Sequence, residues 1–261
     1  LRLVYADWLL ERGDPRGEFI QLQMARAQGS STMESLKREQ KLIKAHRREW
    51  LGSLARVLRL GSLEFDRGFP KVATVRKLRA EHRDFEADNA AWSTIEELTF
   101  ESNGILSPHM RSIRCLKGLR NETLQRLCSS FPDFPVRELD LTMHVRDLGQ
   151  HHGIEDTPEG LGLVKGPLSA ALEAFAQCEG LPNLRVLRLS VLNGYELHQL
   201  SSFDWLADIH LMEQLDQLVL QLGYSFLEHD NVSRLSQEYE KLVTTPKSFW
   251  RKTNLLWMSS H

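Results

Sequence analysis

The chain has 261 residues, 41% of them hydrophobic and 26% charged, a composition that permits a buried core and excludes a wholly disordered chain. No apolar run reaches the roughly 18 to 20 residues that a transmembrane helix needs, so we expect no membrane-spanning segment. The formal net charge is -2, yet residues 1–84 have a balance of +7 and residues 85–261 a balance of -9, which predicts two surfaces with different electrostatic preferences.

Two short helices are predicted at the start of the chain. The first has five apolar residues at the spacing of a single helical face, namely Leu1, Val4, Tyr5, Trp8 and Leu9. Gly13 ends this helix. Asp14 can cap the next helix and Pro15 suits its first position, so we expect a second helix that runs to about Ala27.

A third helix is predicted over residues 33–51, with Ser31 or Thr32 as its cap. Its apolar stripe is thin and consists of Met33, Leu36, Ile43 and Trp50. Its basic surface consists of Lys37, Arg38, Lys41, Lys44, Arg47 and Arg48. A solvated helix face is the favoured interpretation, and a surface that binds phosphate or acidic groups is the alternative. No aromatic residues interleave these bases, so a stacking platform for single strands is not supported.

After this helix the hydrophobic period changes to that of strands. Four apolar residues flank the segment 66–70, namely Leu63, Phe65, Val72 and Val75. The Asp-Arg-Gly-Phe-Pro sequence between them predicts a short hairpin that leads the chain from helices into a sheet.

Three segments resemble a known family when they are taken in order. They are residues 2–23 (RLVYADWLLERGDPRGEFIQLQ), 46–52 (HRREWLG) and 65–70 (FDRGFP). This combination is similar to the bacterial repeat-companion domain and covers roughly residues 1–75. The resemblance implies a domain that sits beside repeat arrays, leucine-rich repeats among them, and it supplies no catalytic residues to carry over.

The rest of the chain repeats the spacing apolar-x-x-apolar-x-apolar, which is the strand half of a leucine-rich repeat. The five copies are Ile95-Leu98-Phe100, Met110-Ile113-Cys115, Val136-Leu139-Leu141, Leu184-Leu187-Leu189 and Leu215-Leu218-Leu220. Helical segments are predicted between them, at 122–128, 168–176 and 200–211. We therefore expect an α/β fold, in which a small helical N-terminal unit is joined to an irregular leucine-rich-repeat solenoid with a parallel sheet.

The repeats are irregular, and three regions are predicted from this. The central positions of the five copies are 15, 26, 48 and 31 residues apart, against a usual repeat of about 20 to 29. The longest gap contains a polar stretch, which we interpret as a loop inserted at about 144–166. The predicted regions are 1–84 (repeat-companion helical domain with a short hairpin), 85–229 (leucine-rich repeats) and 230–261 (a C-terminal cap of a helix and an aromatic-rich end).

The cysteines and the N-terminus bear on the compartment. Cys115, Cys128 and Cys178 are widely spaced and odd in number, which argues against a disulfide framework and for a reducing environment. The first residues already fit a helical pattern, and no secretory signal is visible there. We expect a cytoplasmic protein.

No motif for catalysis or cofactor binding occurs, so we expect no enzyme, no cofactor and no metal site. The one dense group of metal-ligand types lies in the inserted loop and consists of His144, Asp147, His151, His152, Glu155 and Asp156. It lacks Cys partners and a helical pairing of histidines, which makes it a weak metal signal. Asp7 and Trp8 are distinctive, and we interpret Trp8 as a core residue and Asp7 as a cap or ion-pair partner.

The leading functional hypothesis is a non-enzymatic scaffold that binds a macromolecular partner, expected to be a protein, through the repeat sheet. The candidate contact residues are the outward positions between the inward leucines, namely Glu97, Thr99, Glu138, Asp140, Val186, Arg188, Gln217 and Val219. Two alternatives remain open. One is an accessory protein that binds nucleic acid through the basic N-terminal unit, and the other is the sensor or specificity part of a larger bacterial signalling or defence protein.

Overall fold

The computed structural model describes residues 1–77, 89–101, 106–119, 121–131, 133–143, 178, 181–191, 214–223, 237 and 253–258. Within this part of the chain the fold is mixed α/β, with a mostly parallel arrangement of strands. The chain divides into two compact units, Leu1–Ile113 and Arg114–His261. No helix in the described ranges combines the length and the apolar character that crossing a membrane requires.

The first unit begins with three helices, α1 (Arg2–Leu10), α2 (Pro15–Ala27) and α3 (Met33–Leu51). The predicted caps are confirmed. The Asp14 side chain accepts a hydrogen bond from the backbone N–H of Arg16, and Pro15 occupies the first turn of α2. Thr32 and Ser35 form a reciprocal capping box at the start of α3. Two short 3-10 turns, Gly52–Arg56 and Leu60–Ser62, follow.

The predicted apolar face of α1 is confirmed at Leu9 and is wrong for its other members. The buried residues are Ala6 and Leu9, whereas Val4 is 71% exposed and Trp8 46% exposed. Both faces of this helix carry apolar residues, so their spacing alone did not distinguish the face that packs on α2. The contact depends on Gly17, because a Cβ there would lie 2.6 Å from the Ala6 carbonyl oxygen. The stripe predicted for α3 is also wrong at Met33, which is 71% exposed.

The predicted hairpin is confirmed. Strand β1 (Glu64–Asp66) pairs antiparallel with β2 (Phe69–Val75). The turn residues Arg67 and Gly68 both have positive φ, at 50° and 89°. A two-residue hairpin turn needs this conformation for its twist to match that of the flanking strands. A Cβ on Gly68 would lie 2.1 Å from Ile20 Cγ1, so this turn sits directly on α2.

A buried glutamine joins the hairpin to the helices. Gln23 Nε2 donates to Glu39 Oε1 at 2.9 Å and to the Phe65 carbonyl at 3.2 Å, while its Oε1 accepts from the Gly68 N–H at 2.7 Å. Arg26 forms an ion pair with the same Glu39 at 3.2 Å. The Gln23 side chain therefore satisfies polar groups of α3, of strand β1 and of the hairpin turn.

The remaining strand of the first unit is β3 (Glu97–Phe100), which pairs in parallel with β2. A 3-10 turn, Ala90–Thr94, precedes it and buries Trp92. The predicted copy Ile95-Leu98-Phe100 is confirmed as inward-facing, because all three side chains are buried.

The second unit contains five strands in the described residues. They are β4 (Cys115–Lys117), β5 (Glu138–Met143), β6 (Val186–Val191), β7 (Gln217–Gly223) and β8 (Thr253–Met258). Each pairs in parallel with the next in chain order. Helix α4 (Asn121–Ser130) connects β4 towards β5 and agrees with the helix predicted at 122–128. The last strand arises from the tail predicted as a cap and extends the parallel pairing beyond β7.

A column of leucines crosses this sheet in register. Leu116 is opposite Leu139, Leu139 is opposite Leu187, and Leu187 is opposite Leu218. All four side chains are fully buried. Burial of each leucine stabilises the fold by about 1.5 to 3 kcal/mol relative to exposure. The second repeat copy was therefore predicted in the wrong phase, because Leu116 occupies the position that Ile113 was expected to take.

Cys128 on α4 and Cys178 form a disulfide across 50 residues of sequence, with Cα atoms 4.7 Å apart. The expectation that the cysteines are unpaired is wrong for these two, and it removes the cysteine-based support for a reducing compartment. Cys115 is buried and is not part of a disulfide. The inserted loop at 144–166, the helices predicted at 168–176 and 200–211, and the predicted region boundaries near 84 and 230 lie outside the described residues.

Candidate functional site

The outward side chains of the second unit form two rows across its parallel strands. The first row contains Cys115, Glu138, Val186 and Gln217, and the second contains Lys117, Asp140, Arg188 and Val219. The rows follow from the strand period of two, since the inward leucines lie between them. We call these eight residues the outward sheet face, although two of them, Cys115 and Val219, are buried.

The predicted contact residues of this face are mostly accessible. Glu138, Asp140, Val186, Arg188 and Gln217 are each half-buried. Val219 is an exception, because it is only 2% exposed and cannot offer a contact surface. In the register Val219 is opposite Arg188 of β6 and Asn254 of β8.

An ion pair links two strands of this face. Arg188 Nε donates to Glu138 Oε1 at 2.8 Å, diagonally from β6 to β5. Both side chains stay about one third exposed. Such a cross-strand pair fixes the positions of both charged groups while it leaves part of each accessible to a partner.

Asp140 is the most unusual group of the face. Its Oδ1 atom is buried and has no hydrogen-bond partner in the described part of the chain. Burial raises the pKa of the Asp140 carboxyl, and the positive charges of Arg188 and Lys117 only partly offset this. A carboxylate held in this way lowers the stability of the fold, which is a common property of residues retained for function.

Lys117 belongs to the same row but was missed from the sequence. It is opposite Asp140 in the register of β4 and β5, and it is half-buried. The error has the same origin as the misplaced Ile113. If the repeat spacing ends at Cys115, Lys117 falls in the turn after the strand. If the spacing is centred on Leu116, Lys117 falls on the outward side of the strand.

The other two predicted contact residues lie in the first unit. Glu97 and Thr99 are half-buried on β3, where they alternate with buried Leu98 and Phe100. They are opposite Val72 and Thr74 of β2. Their outward position on a parallel strand is thus as predicted, within the first compact unit.

The predicted basic surface of α3 divides into residues with different roles. Lys37, Lys41, Lys44 and Arg48 are exposed. Arg38 forms two hydrogen bonds with the Glu18 carboxylate, at 2.7 and 2.6 Å, which lowers the pKa of Glu18. Arg47 donates to the Leu60 carbonyl at 3.0 Å and therefore holds the chain after α3 in place. Two of the six cations are thus committed to contacts within the fold.

The structure places Asp7 in a contact between two helices and leaves Trp8 half exposed. The Asp7 carboxylate accepts a hydrogen bond from Gln21 Nε2 at 2.9 Å, which is a structural role between α1 and α2. Trp8 is not a core residue, because its ring is half exposed, stacks on Tyr5 and lies 3.8 Å from the Arg12 guanidinium. The expectation that it packs inside the helical unit is therefore wrong.

No group of three or more possible metal ligands occurs in the ranges that the structure describes. The histidine-rich group at 144–156 lies outside those ranges. Comparisons with protein-family models, with curated proteins and with solved structures give no match. The residues of the chain itself are accordingly the basis for any functional assignment.

Proposed function

We propose that this chain is a non-enzymatic recognition module that binds a protein partner through the outward sheet face. In this proposal residues 1–75 form a repeat-companion domain, and the strands after them belong to a degenerate leucine-rich-repeat solenoid. The fully buried column of Leu116, Leu139, Leu187 and Leu218 supports this interpretation, since stacked repeats share such a column.

One observation carries the functional part of the proposal. The charged side chains of Glu138, Asp140 and Arg188 occupy outward positions on adjacent strands, and Asp140 is kept there although its burial is unfavourable. Stability alone would favour a neutral residue at position 140. The accessible parts of Glu138, Asp140 and Arg188 offer charges that complementary groups on a protein surface would pair.

The proposal is tested with variants of the ion pair on this face. The full chain, its E138K variant and its R188E variant are immobilised and exposed to a lysate of the source organism, and the retained proteins are quantified by mass spectrometry. We expect a specific partner whose retention falls about tenfold or more in both variants, because each leaves a charge of the interface unpaired.

Matched controls separate recognition from folding and from net charge. E34K and K37E make the same charge changes at exposed sites of α3, and we expect them to retain the partner as well as the unchanged chain does. Equal losses in all four variants, or losses that follow a lowered unfolding temperature, contradict the proposal. Absence of any partner that depends on Glu138 and Arg188 contradicts it as well.

A further inference from the structure

A cavity of about 600 Å³ in the first unit is lined by four arginines and, among the residues that the structure describes, by no acidic residue. Its lining consists of Arg48, Gly52, Ala55, Arg56, Leu58, Arg59, Leu60 and Arg76. This volume falls in the range of small-molecule sites, about 300 to 1,000 Å³. A concave site with charges of one sign concentrates the electrostatic field and attracts ligands of the opposite sign.

Three separate backbone segments bring these arginines together. Arg48 lies in the last turn of α3. Arg56 and Arg59 follow on the next segment, which a bridge between Leu58 and Val75 ties to the end of β2. The Arg59 N–H donates to the Thr74 carbonyl at 2.8 Å, and the Arg76 N–H donates to the Val57 carbonyl at 3.0 Å.

The residues that the structure describes leave the charge of the cavity largely uncompensated. Arg59 forms an ion pair with Glu101, which lies outside the lining. Within the described ranges no ion pair involves Arg48, Arg56 or Arg76, and all three side chains are exposed. Like charges at this density repel one another, and a bound anion would relieve that repulsion.

The chemistry of the lining limits the class of ligand. The planar guanidinium group matches phosphate oxygens in a two-point contact, so three available arginines suit a ligand with more than one phosphate group. The cavity is larger than one phosphate needs, and its remaining lining is apolar at Ala55, Leu58 and Leu60. The described lining contains no aromatic ring on which a base could stack.

We infer that this cavity is a binding site for a small polyanion that carries two or more phosphate groups. Recognition depends on the phosphates and on their spacing, because the lining offers guanidinium groups but no base-stacking surface. The site lies in the first unit and is separate from the outward sheet face, so its test is independent of the proposed partner binding.

Isothermal titration calorimetry with the full chain and inorganic tripolyphosphate tests this inference at neutral pH and low salt. We expect saturable binding with one ligand per chain, and an affinity about a hundredfold lower in the R56Q/R76Q double variant, from about tenfold for each lost charge-assisted contact. At a ligand concentration of about a hundred times Kd, the unfolding temperature of the unchanged chain should rise by about 5 °C.

The matched control is the R111Q/R126Q double variant, which removes the same two charges at exposed positions outside the lining. We expect its affinity for tripolyphosphate to change by less than about threefold. No binding by the unchanged chain, or equal loss in both double variants, overturns the inference.

Two further ligands test whether the cavity prefers phosphates to carboxylates and small ligands to nucleic acid. Citrate should bind much more weakly than tripolyphosphate, and tighter binding of citrate overturns the assignment to phosphates. A single-stranded oligothymidylate should not bind in a manner that depends on Arg56 and Arg76. If it binds more tightly than tripolyphosphate and loses affinity in R56Q/R76Q, the site serves nucleic acid and the small-ligand assignment is overturned.

Discussion

Replacing Gln23 by alanine tests how the first unit is held together. The side chain satisfies the Gly68 N–H at 2.7 Å, the Phe65 carbonyl at 3.2 Å and one Glu39 carboxylate oxygen at 2.9 Å. Its removal leaves three polar groups without this partner in a site where Gln23 is only 3% exposed. Each such group costs about 1 to 3 kcal/mol when it is left buried and unpaired.

Glu39 reduces the total, because its carboxylate keeps the ion pair with Arg26 at 3.2 Å. We therefore expect Gln23→Ala to lower the free energy of unfolding of the first unit by about 3 to 5 kcal/mol. Urea denaturation followed by helical circular dichroism measures this value, since three of the four described helices belong to the first unit.

The matched control is Gln21→Ala on α2, the helix that also carries Gln23. It removes one exposed hydrogen bond to Asp7 of α1. Its expected cost is below about 1 kcal/mol. A cost for Gln23→Ala that is no larger than that of Gln21→Ala would refute the claim that this glutamine joins the hairpin to the helices.

Two other predictions concern single sites. Gly68→Ala should destabilise the first unit by about 2 kcal/mol or more in urea denaturation. The new Cβ would lie 2.1 Å from Ile20 Cγ1, and the backbone at this position has a φ of 89°, which alanine adopts unfavourably. An unchanged denaturation midpoint would show that the turn does not pack on α2. Asp140→Asn should change how stability depends on pH. The folded protein holds the Asp140 proton more tightly than the unfolded chain does, so this carboxyl makes the fold less stable as pH rises from its ordinary pKa of 3.8 through its raised value. The variant lacks that loss, and its stability relative to the unchanged chain should grow over this pH window and stay higher at neutral pH. A constant difference across a pH series of denaturation curves would contradict the raised pKa.

Local signals in the sequence were sufficient for the elements of the first unit. Asp14 with Pro15 and Thr32 gave the starts of two helices, and the residues around Arg67-Gly68 gave the hairpin. These features depend on backbone chemistry within a few residues, so no knowledge of the tertiary contacts was needed. The buried face of α1 depends on the close approach at Gly17, which is a tertiary contact that periodicity does not encode.

The sequence predicted the outward residues of the candidate site on the longer strands but not on β4. The alternation of strands gave Glu138, Asp140, Val186 and Arg188 as outward residues, and the register brings them onto adjacent strands. The short strand β4 has only three residues, too few for a pattern to fix its phase, so Leu116 and Lys117 were missed. The pairing of β7 with a strand from the end of the chain was also missed, because the spacing of leucines did not reveal β8.

The disulfide between Cys128 and Cys178 changes the connectivity of the second unit. Strand β5 lies between the two cysteines in sequence, so it belongs to a closed covalent loop that begins on α4 and ends just before β6. A single peptide-bond cleavage between the two cysteines opens this loop without releasing either half of the protein. A change of length anywhere between Cys128 and Cys178 therefore leaves these two residues joined to each other.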